Sequence, residues 1–312
     1  MDMTSHKLGV RVLSSRPRVA ASPNGALSLL APAKINLNLL VGRRRTDGYH
    51  SVDSFVCRVS LYDQIELVPR QDGQITIACF GADCGSNDKN LAFRAARLLA
   101  AKCGQLGGIT AAGGVSISLH KQIPPGKGLG GGSSDAASVL SALNDIWALG
   151  LPVEQLSQLG SQLGSDVPLF LGPPSARVTG RGEQVAPLSM PPFWAILFLP
   201  DFFCPTADVY QAYDRQDISI EQQLDQAALA GPPSQWRHRL KNHLLPAAGA
   251  ICPGLADYQR QAQQAIGVPV CLTGSGSAMF VLCDSQDEAV SLAAKLPREF
   301  QEDCVIVQSN PW

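Results

Sequence analysis

Apolar residues recur at Ile35, Leu37, Leu39 and Val41 with polar residues among them, the period of two that a half-buried strand requires. Residues 27–30 and 52–59 read as flanking short strands, implying an antiparallel start, and 64–68 and 74–78 as further strands around a Gln71-Asp72-Gly73 turn. The period changes at Asn90. Leu91, Ala95, Leu98 and Leu99 fall on one helical face, so a helix is predicted over 91–102, ended by Gly104, Gly107 and Gly108. A strand over 115–119 follows. The clearest helix, 136–149, carries Ala136, Val139, Leu140, Leu143, Ile146 and Trp147 as a single stripe and stops at Gly150. Pro152 opens the next helix, with Val153, Leu156, Leu159 and Leu163 inward until Gly164, and a loop is predicted over 165–168.

Residues 177–185 read as a hairpin around Gly180-Arg181-Gly182, and Pro187, Pro191 and Pro192 mark a domain boundary. Beyond it, strands at 195–199, 268–272, 278–283 and 303–308 alternate with helices at 207–213, 220–229, 255–266 and 287–296, an α/β sandwich. The predicted organisation is a flexible extension (1–27), a first domain (28–187) and a second (188–312). A chain of 312 residues agrees with two domains sharing a cleft.

Charge narrows the function. With 25 basic and 26 acidic side chains the chain has no global field for nucleic acid or an anionic membrane, so any phosphate must be gripped locally. Nine scattered cysteines without a Cys-x-x-Cys pair argue against a disulfide framework or zinc site and for a reducing compartment. The longest apolar run, 193–200, is too short to span a bilayer. Residues 1–27 hold one acid, Asp2, beside Lys7, Arg11, Arg16 and Arg18. We read them as the extension of a bacterial cytoplasmic protein; a plastid transit peptide stays open, and the short run 26–33 is rejected as an export signal.

The strongest chemical signal is Pro124-Pro125-Gly126-Lys127-Gly128-Leu129-Gly130-Gly131-Gly132-Ser133-Ser134, between a strand and the striped helix. Five glycines within residues 126–132 let backbone N–H groups approach phosphate oxygens, and the helix start adds unpaired donors and its positive dipole end. A Walker loop is excluded because Gly132-Ser133 stands where Lys-Ser/Thr is needed. Gly126, Gly128 and Gly131 fit a dinucleotide fingerprint, but prolines intervene and no acid ends a strand at the expected distance. A flexible linker would not run straight into a helix.

Asp166, in Gly164-Ser165-Asp166-Val167-Pro168, reads either as a turn residue bonding its own backbone or as a general base for an alcohol attacking a γ-phosphoryl group. Lys34 is a lone charge opening an apolar strand: a surface lysine, or an ammonium stabilising the migrating phosphoryl group. Tyr49-His50, after the Thr46-Asp47-Gly48 turn, reads as structural or as a grip on a planar ring. Thr273-Gly274-Ser275-Gly276-Ser277 is a tight bend, or a source of backbone donors for the cleft.

Taken in order, residues 31–36, 124–134 and 272–277 resemble the three motifs of the GHMP kinase superfamily, and the likeness runs from about 28 to 310. Arg45-Thr46-Asp47-Gly48-Tyr49-His50, residues 164–168 and Lys241-Asn242-His243-Leu244-Leu245-Pro246 resemble the branch that phosphorylates a cytidine diphosphate-linked methylerythritol. The resemblance implies an α+β fold of two domains, the first like domain 2 of ribosomal protein S5 and the second ferredoxin-like, with the site between them. It implies that Asp166 deprotonates the 2-hydroxyl and Lys34 stabilises the reacting groups. ATP and Mg2+ would occupy the glycine loop, with Asn90, Leu91 and Lys121 near adenosine. Tyr49, His50 and Tyr210 would hold cytosine, and Asn36, Thr206, Gly274 and Ser275 would line the acceptor pocket. Lys127 departs from the small residues common in the loop, and Tyr210 stands where phenylalanine is expected. The metal's ligands are not implied, and both monomer and homodimer stay open. The rival readings are a mevalonate, homoserine or sugar kinase of the same superfamily, a dinucleotide oxidoreductase, and a silent nucleotide-binding module.

Overall fold

The computed structural model describes residues 10–13, 20–21, 25–82, 86–105, 113–216 and 224–309. Two short strands, β1 (Arg11–Leu13) and β2 (Ala20–Ala21), precede two long ones, β3 (Leu27–Arg44) and β4 (His50–Arg70). Then come β5 (Ile75–Phe80), α1 (Leu91–Gln105), β6 (Gly114–His120), α2 (Gly131–Ile146), α3 (Val153–Ser161), α4 (Val167–Leu171), and the hairpin β7 (Ser175–Thr179) and β8 (Gln184–Pro187). The remainder is β9 (Trp194–Phe198), α5 (Thr206–Tyr213), α6 (Pro233–Trp236), α7 (Leu245–Ile251), α8 (Pro253–Ile266), β10 (Cys271–Leu272), β11 (Met279–Cys283), α9 (Gln286–Ala293), α10 (Arg298–Glu302) and β12 (Cys304–Gln308).

Strands β2 to β8 form one seven-stranded sheet, ordered β2-β3-β4-β6-β5, with β7 also on β4 and β8 on β7; the other sheet runs β1-β12-β9-β11-β10. The pairs of short strands expected at 27–30 and 35–41, and at 52–59 and 64–68, are single continuous strands. Register shifts, one at Pro32/Ala33 where proline cannot donate to the ladder, break the alternation that would have joined them. Beyond that bulge the Lys34 N–H leaves the ladder and donates to Leu129 O at 3.0 Å, tying the glycine loop to the strand.

Three cores stack. Ile65, Leu67, Val115 and Ile117 of the first sheet pack on Ala95, Leu99, Val139, Leu140 and Leu143 of α1 and α2. Strands β9, β11 and β12 are buried on both faces, and their period of two divides them. Ala195, Leu197, Phe280 and Val305 meet Ile35, Leu37 and Phe55 of β3 and β4, while Ile196, Phe198, Val281 and Ile306 meet Leu244, Leu255 and Ala262 of the α7–α8 region. The middle core is the seam between the halves.

Other expectations change as well. Residues 1–27 are not wholly a free extension: β1 adds in parallel to β12, Leu13 O accepts from Ser60 Oγ, and β2 pairs with β3. Segments this short carry no readable period. The loop predicted at 165–168 instead leads into α4. Of the helix expected at 220–229 only a 3-10 turn, Gln226–Ala230, is seen; its start, like Gly107, Gly108, Cys84 and most of the basic leading stretch, lies outside the described residues. Among the described residues the cysteines are free thiols, and no helix is long and apolar enough to cross a membrane.

Phe280 is fully buried at the seam. Phe280→Ala is expected to lower stability by about 3–5 kcal/mol, read as the shift of the urea midpoint; a change below about 1 kcal/mol would show that the seam contributes little.

Candidate active site

The glycine loop owes its composition to contact with backbone. Gly128 has φ +79°, and a Cβ there would lie 2.4 Å from Thr273 O. Gly130 has φ +71°, and a Cβ would press on the Phe170 ring and the Lys34 stem at 3.0 and 3.1 Å. Helix α2 begins at Gly131, so the first-turn N–H groups of Gly131, Gly132 and Ser133 have no partner within the helix, and no side chain caps them. They face a cavity of about 510 Å³ lined also by Lys34, Asn36, Asn90, Leu91, Lys121, Pro124, Pro125, Gly126, Leu129, Asp166, Thr206, Tyr210, Gly274 and Ser275.

Two loop residues expected on the nucleotide are elsewhere. Lys127 turns away from the cavity; its ammonium donates to Pro200 O and Phe202 O at 2.6 and 2.9 Å, so this cation fastens the loop to the second half of the chain. Ser134 is buried behind the loop, its Oγ without a hydrogen-bond partner.

Lys34 and Asp166 meet across the cavity, with Nζ to Oδ2 at 3.7 Å. Lys34 is nearly buried and is held by Asn36 Oδ1 at 2.6 Å; Asn36 Nδ2 donates to Ser54 Oγ, which donates to Asn38 O. Asp166 occupies the position before α4, yet its carboxylate makes no capping bond, and its side chain is 43% exposed. That disfavours the backbone-bonding turn aspartate and leaves a carboxylate open to a ligand. Helix α4 is itself anchored by buried Arg58, which donates to Leu169 O at 2.9 Å and Gly172 O at 2.6 Å, a cation at a helix C-terminus. Burial depresses this guanidinium to about 10.

A second cavity, about 720 Å³, opens from the same wall and shares Val52, Asp166, Arg181, Thr206 and Tyr210 with the first. Tyr49 and His50 line it. The His50 Nε2 lies 2.6 Å from Asp214 Oδ1, and its ring stands 5.1 Å from that of Tyr210. Tyr210 is pushed up to about 12, first by burial and then by Asp166 and Tyr213. Tyr49 is 55% exposed, with the Arg181 guanidinium 5.0 Å from its ring centroid. Thr206 and Ser275 share a hydroxyl hydrogen bond of 2.9 Å at the floor between the cavities.

Asn90 has a structural duty as well: its Oδ1 accepts from the N–H groups of Ala92 and Phe93, opening α1. Lys121 bonds Asp63 and, at 2.7 Å, Asp135. Burial alone would depress this ammonium, but Asp135 and Asp63 outweigh it and raise its pKa. One lysine cannot neutralise two buried carboxylates, and Asp135 is pushed up to about 7, chiefly by burial and further by Asp63, against Lys121. Sequence reading missed Asp63, Asp135, Arg181 and Asp214. Asp63 stands among other charges of its strand, Arg58 and Glu66, and so lacked the mark of Lys34, a lone charge in an apolar strand; Asp135 follows the loop directly; Arg181 lies between two glycines.

A glycine loop opening a helix between two layered halves, with a second cavity meeting the first at a lysine–carboxylate pair, fits a small-molecule kinase of the GHMP type, and the GHMP kinases N terminal domain and GHMP kinases C terminal patterns match residues 90–172 and 226–302. The chain is 36% identical over 289 residues to the 4-diphosphocytidyl-2-C-methyl-D-erythritol kinase of Pelotomaculum thermopropionicum, covering 91% of this chain and 99% of that protein. It is 38% identical over 287 residues to the same-named protein of Mycolicibacterium gilvum, covering 88% of this chain and 87% of the relative. A crystal structure of 4-(cytidine 5'-diphospho)-2C-methyl-D-erythritol kinase superposes with a TM-score of 0.73 at 35% identity, covering 90% of this chain and 98% of the other. The chain belongs to the 4-diphosphocytidyl-2-C-methyl-D-erythritol kinase family.

Asp135 yields a pH prediction. Its folded pKa, about 7, exceeds the ordinary 3.8, so between those values the folded state binds more protons than the unfolded. Stability of the nucleotide-free protein is therefore expected to fall as pH rises from about 4 to about 7, and Asp135→Asn to flatten that decline in urea midpoints. An identical slope in the variant would reject the assignment.

Proposed function

We propose that this protein transfers the γ-phosphoryl group of ATP to the 2-hydroxyl of 4-diphosphocytidyl-2-C-methyl-D-erythritol, giving the 2-phosphate and ADP, a step of non-mevalonate isoprenoid synthesis. The observation that carries this reading is Asp166 on the wall common to two cavities, one headed by the glycine loop and the other by His50 and Tyr210. A carboxylate there reaches both an acceptor hydroxyl and a terminal phosphoryl group. Asp166 accepts the hydroxyl proton, and Lys34, fixed by Asn36, offsets charge on the transferring group. Amides at the start of α2 orient the phosphates. Adenosine lies toward Asn90, Leu91 and Lys121, and cytosine between Tyr49, His50 and Tyr210.

Residues 28–187 serve chiefly as the nucleotide half and 188–312 as the closing half. Free cysteines and an ATP-consuming reaction fit the cytoplasm. An oxygen near the start of α2 fits Mg2+: Asp135 lines the first cavity, its Oδ1 is buried without a hydrogen-bond partner, and magnesium favours hard oxygen ligands. When bound, the ion would neutralise phosphate charge. No cluster of three or more His, Cys, Asp or Glu gathers among the described residues, so the nucleotide itself would supply much of the coordination.

Asp166→Ala is expected to cut kcat by roughly 100-fold or more with little change in ATP affinity, measured by coupled ADP release and calorimetric titration. Near-normal turnover would remove Asp166 from the base role. Offered the cytidine diphosphate-linked alcohol beside mevalonate, homoserine and galactose, the enzyme should phosphorylate the first selectively; preference for another acceptor would overturn the substrate assignment.

A further inference from the structure

The proposed acceptor carries a diphosphate between the ring held at one end and the hydroxyl attacked at the other, so a doubly anionic bridge must cross the opening between the two cavities. The carboxylates on the second cavity's wall, Asp166, Asp208 and Asp214, would repel it. Its other basic side chains have duties of their own: Arg44 lies 3.8 Å from Asp214 and donates to Gly48 O, and His50 bonds the same aspartate. Lys34 is engaged by Asn36 and Asp166.

Arg181 differs. It lines both cavities, and its guanidinium pairs with no carboxylate among the described residues, standing 5.0 Å above the Tyr49 ring. Asp47, held below the ordinary carboxyl range first by the Tyr49 N–H, also feels its charge from the neighbouring turn.

The hairpin carrying Arg181 is built to hold it there. Gly180 O accepts from Val52 N at 2.8 Å, Gly182 N donates to Thr179 O, and the Arg181 N–H donates to Glu183 Oε2 at 2.6 Å. A Cβ on buried Gly182 would touch Ser165, the residue before Asp166, so the hairpin tip rests against the segment that presents the carboxylate. An arginine presents a planar fork of donors suited to phosphate oxygens.

We infer that Arg181 is the specificity residue for the acceptor's diphosphate, gripping the anion between the aromatic end of the pocket and Asp166. This rests on the acceptor proposed above. It makes the enzyme select a phosphate-bearing alcohol over the neutral or singly charged acceptors of other small-molecule kinases.

The test compares wild type with Arg181→Met and Arg181→Lys. Arg181→Met is expected to raise KM for the cytidine diphosphate-linked alcohol by about 10- to 100-fold while KM for ATP stays as in wild type, and Arg181→Lys should recover part of the loss. In calorimetric titrations Arg181→Met should weaken cytidine 5'-diphosphate but leave cytidine unaffected. Equal loss for both ligands would mean that Arg181 merely supports Tyr49 and would overturn the inference. So would an unchanged acceptor KM, or a fall in kcat alone, which would put the charge on the transferring phosphoryl group. Should wild type ignore the alcohol altogether, the acceptor assignment fails, while the cytidine diphosphate titration still decides whether Arg181 binds a diphosphate.

Discussion

The site depends on backbone meeting backbone where three distant segments converge. The glycine loop passes so close to the bend before β11 that Gly128 leaves no room for a single carbon beside Thr273 O. Around this contact the Lys34 N–H donates to Leu129 O, the Asn36 N–H to Thr273 Oγ1, and the Ala278 N–H to Lys127 O. Strand, loop and bend are thus locked in register. That register sets Lys34 on the wall of the same cavity as Gly131, Gly132 and Ser133 and brings Ser275 to Thr206. Distances of a few ångströms between groups remote in sequence follow from contacts that no larger residue permits.

Much of this was legible in the chain. The loop's glycines, the stripe from Ala136 to Trp147 and the isolated Lys34 each carry a local cause: close approach, helical burial, and a charge that an apolar strand tolerates only for a reason. Asp166 was ambiguous from its neighbours, since a turn and a catalytic carboxylate look alike in Ser-Asp-Val-Pro. The absence of a capping bond, together with the ion pair to Lys34, favours the second reading. The family likeness settled the fold class where periodicity reached only an α/β sandwich.

What stayed hidden depends on partners remote in sequence. Lys127 sits within the glycine loop and reads as a phosphate ligand, yet the carbonyls of Pro200 and Phe202 are close enough to capture it. Asp63 and Asp135 meet at Lys121, and Asp63 also accepts from the N–H groups of Gln122 and Ile123, partners remote from it in sequence. The long strands β3 and β4 read as fragments because bulges reset the alternation that would have joined them. A dinucleotide fold also loses its basis: β6, the strand before the loop, pairs antiparallel with β4 in a mixed sheet, where a dinucleotide-binding domain needs a mostly parallel one.

The pairing of β1 with β12 has a consequence for the molecule in a crowded solution. Without Arg11 to Leu13, the outer margin of the second sheet would present the unspent donors and acceptors of Cys304 to Gln308 to any passing chain, the geometry from which intermolecular strand addition starts. Three residues so brief that they leave no trace in the hydropathy pattern therefore act as a selvedge, closing the woven border against fraying into its neighbours.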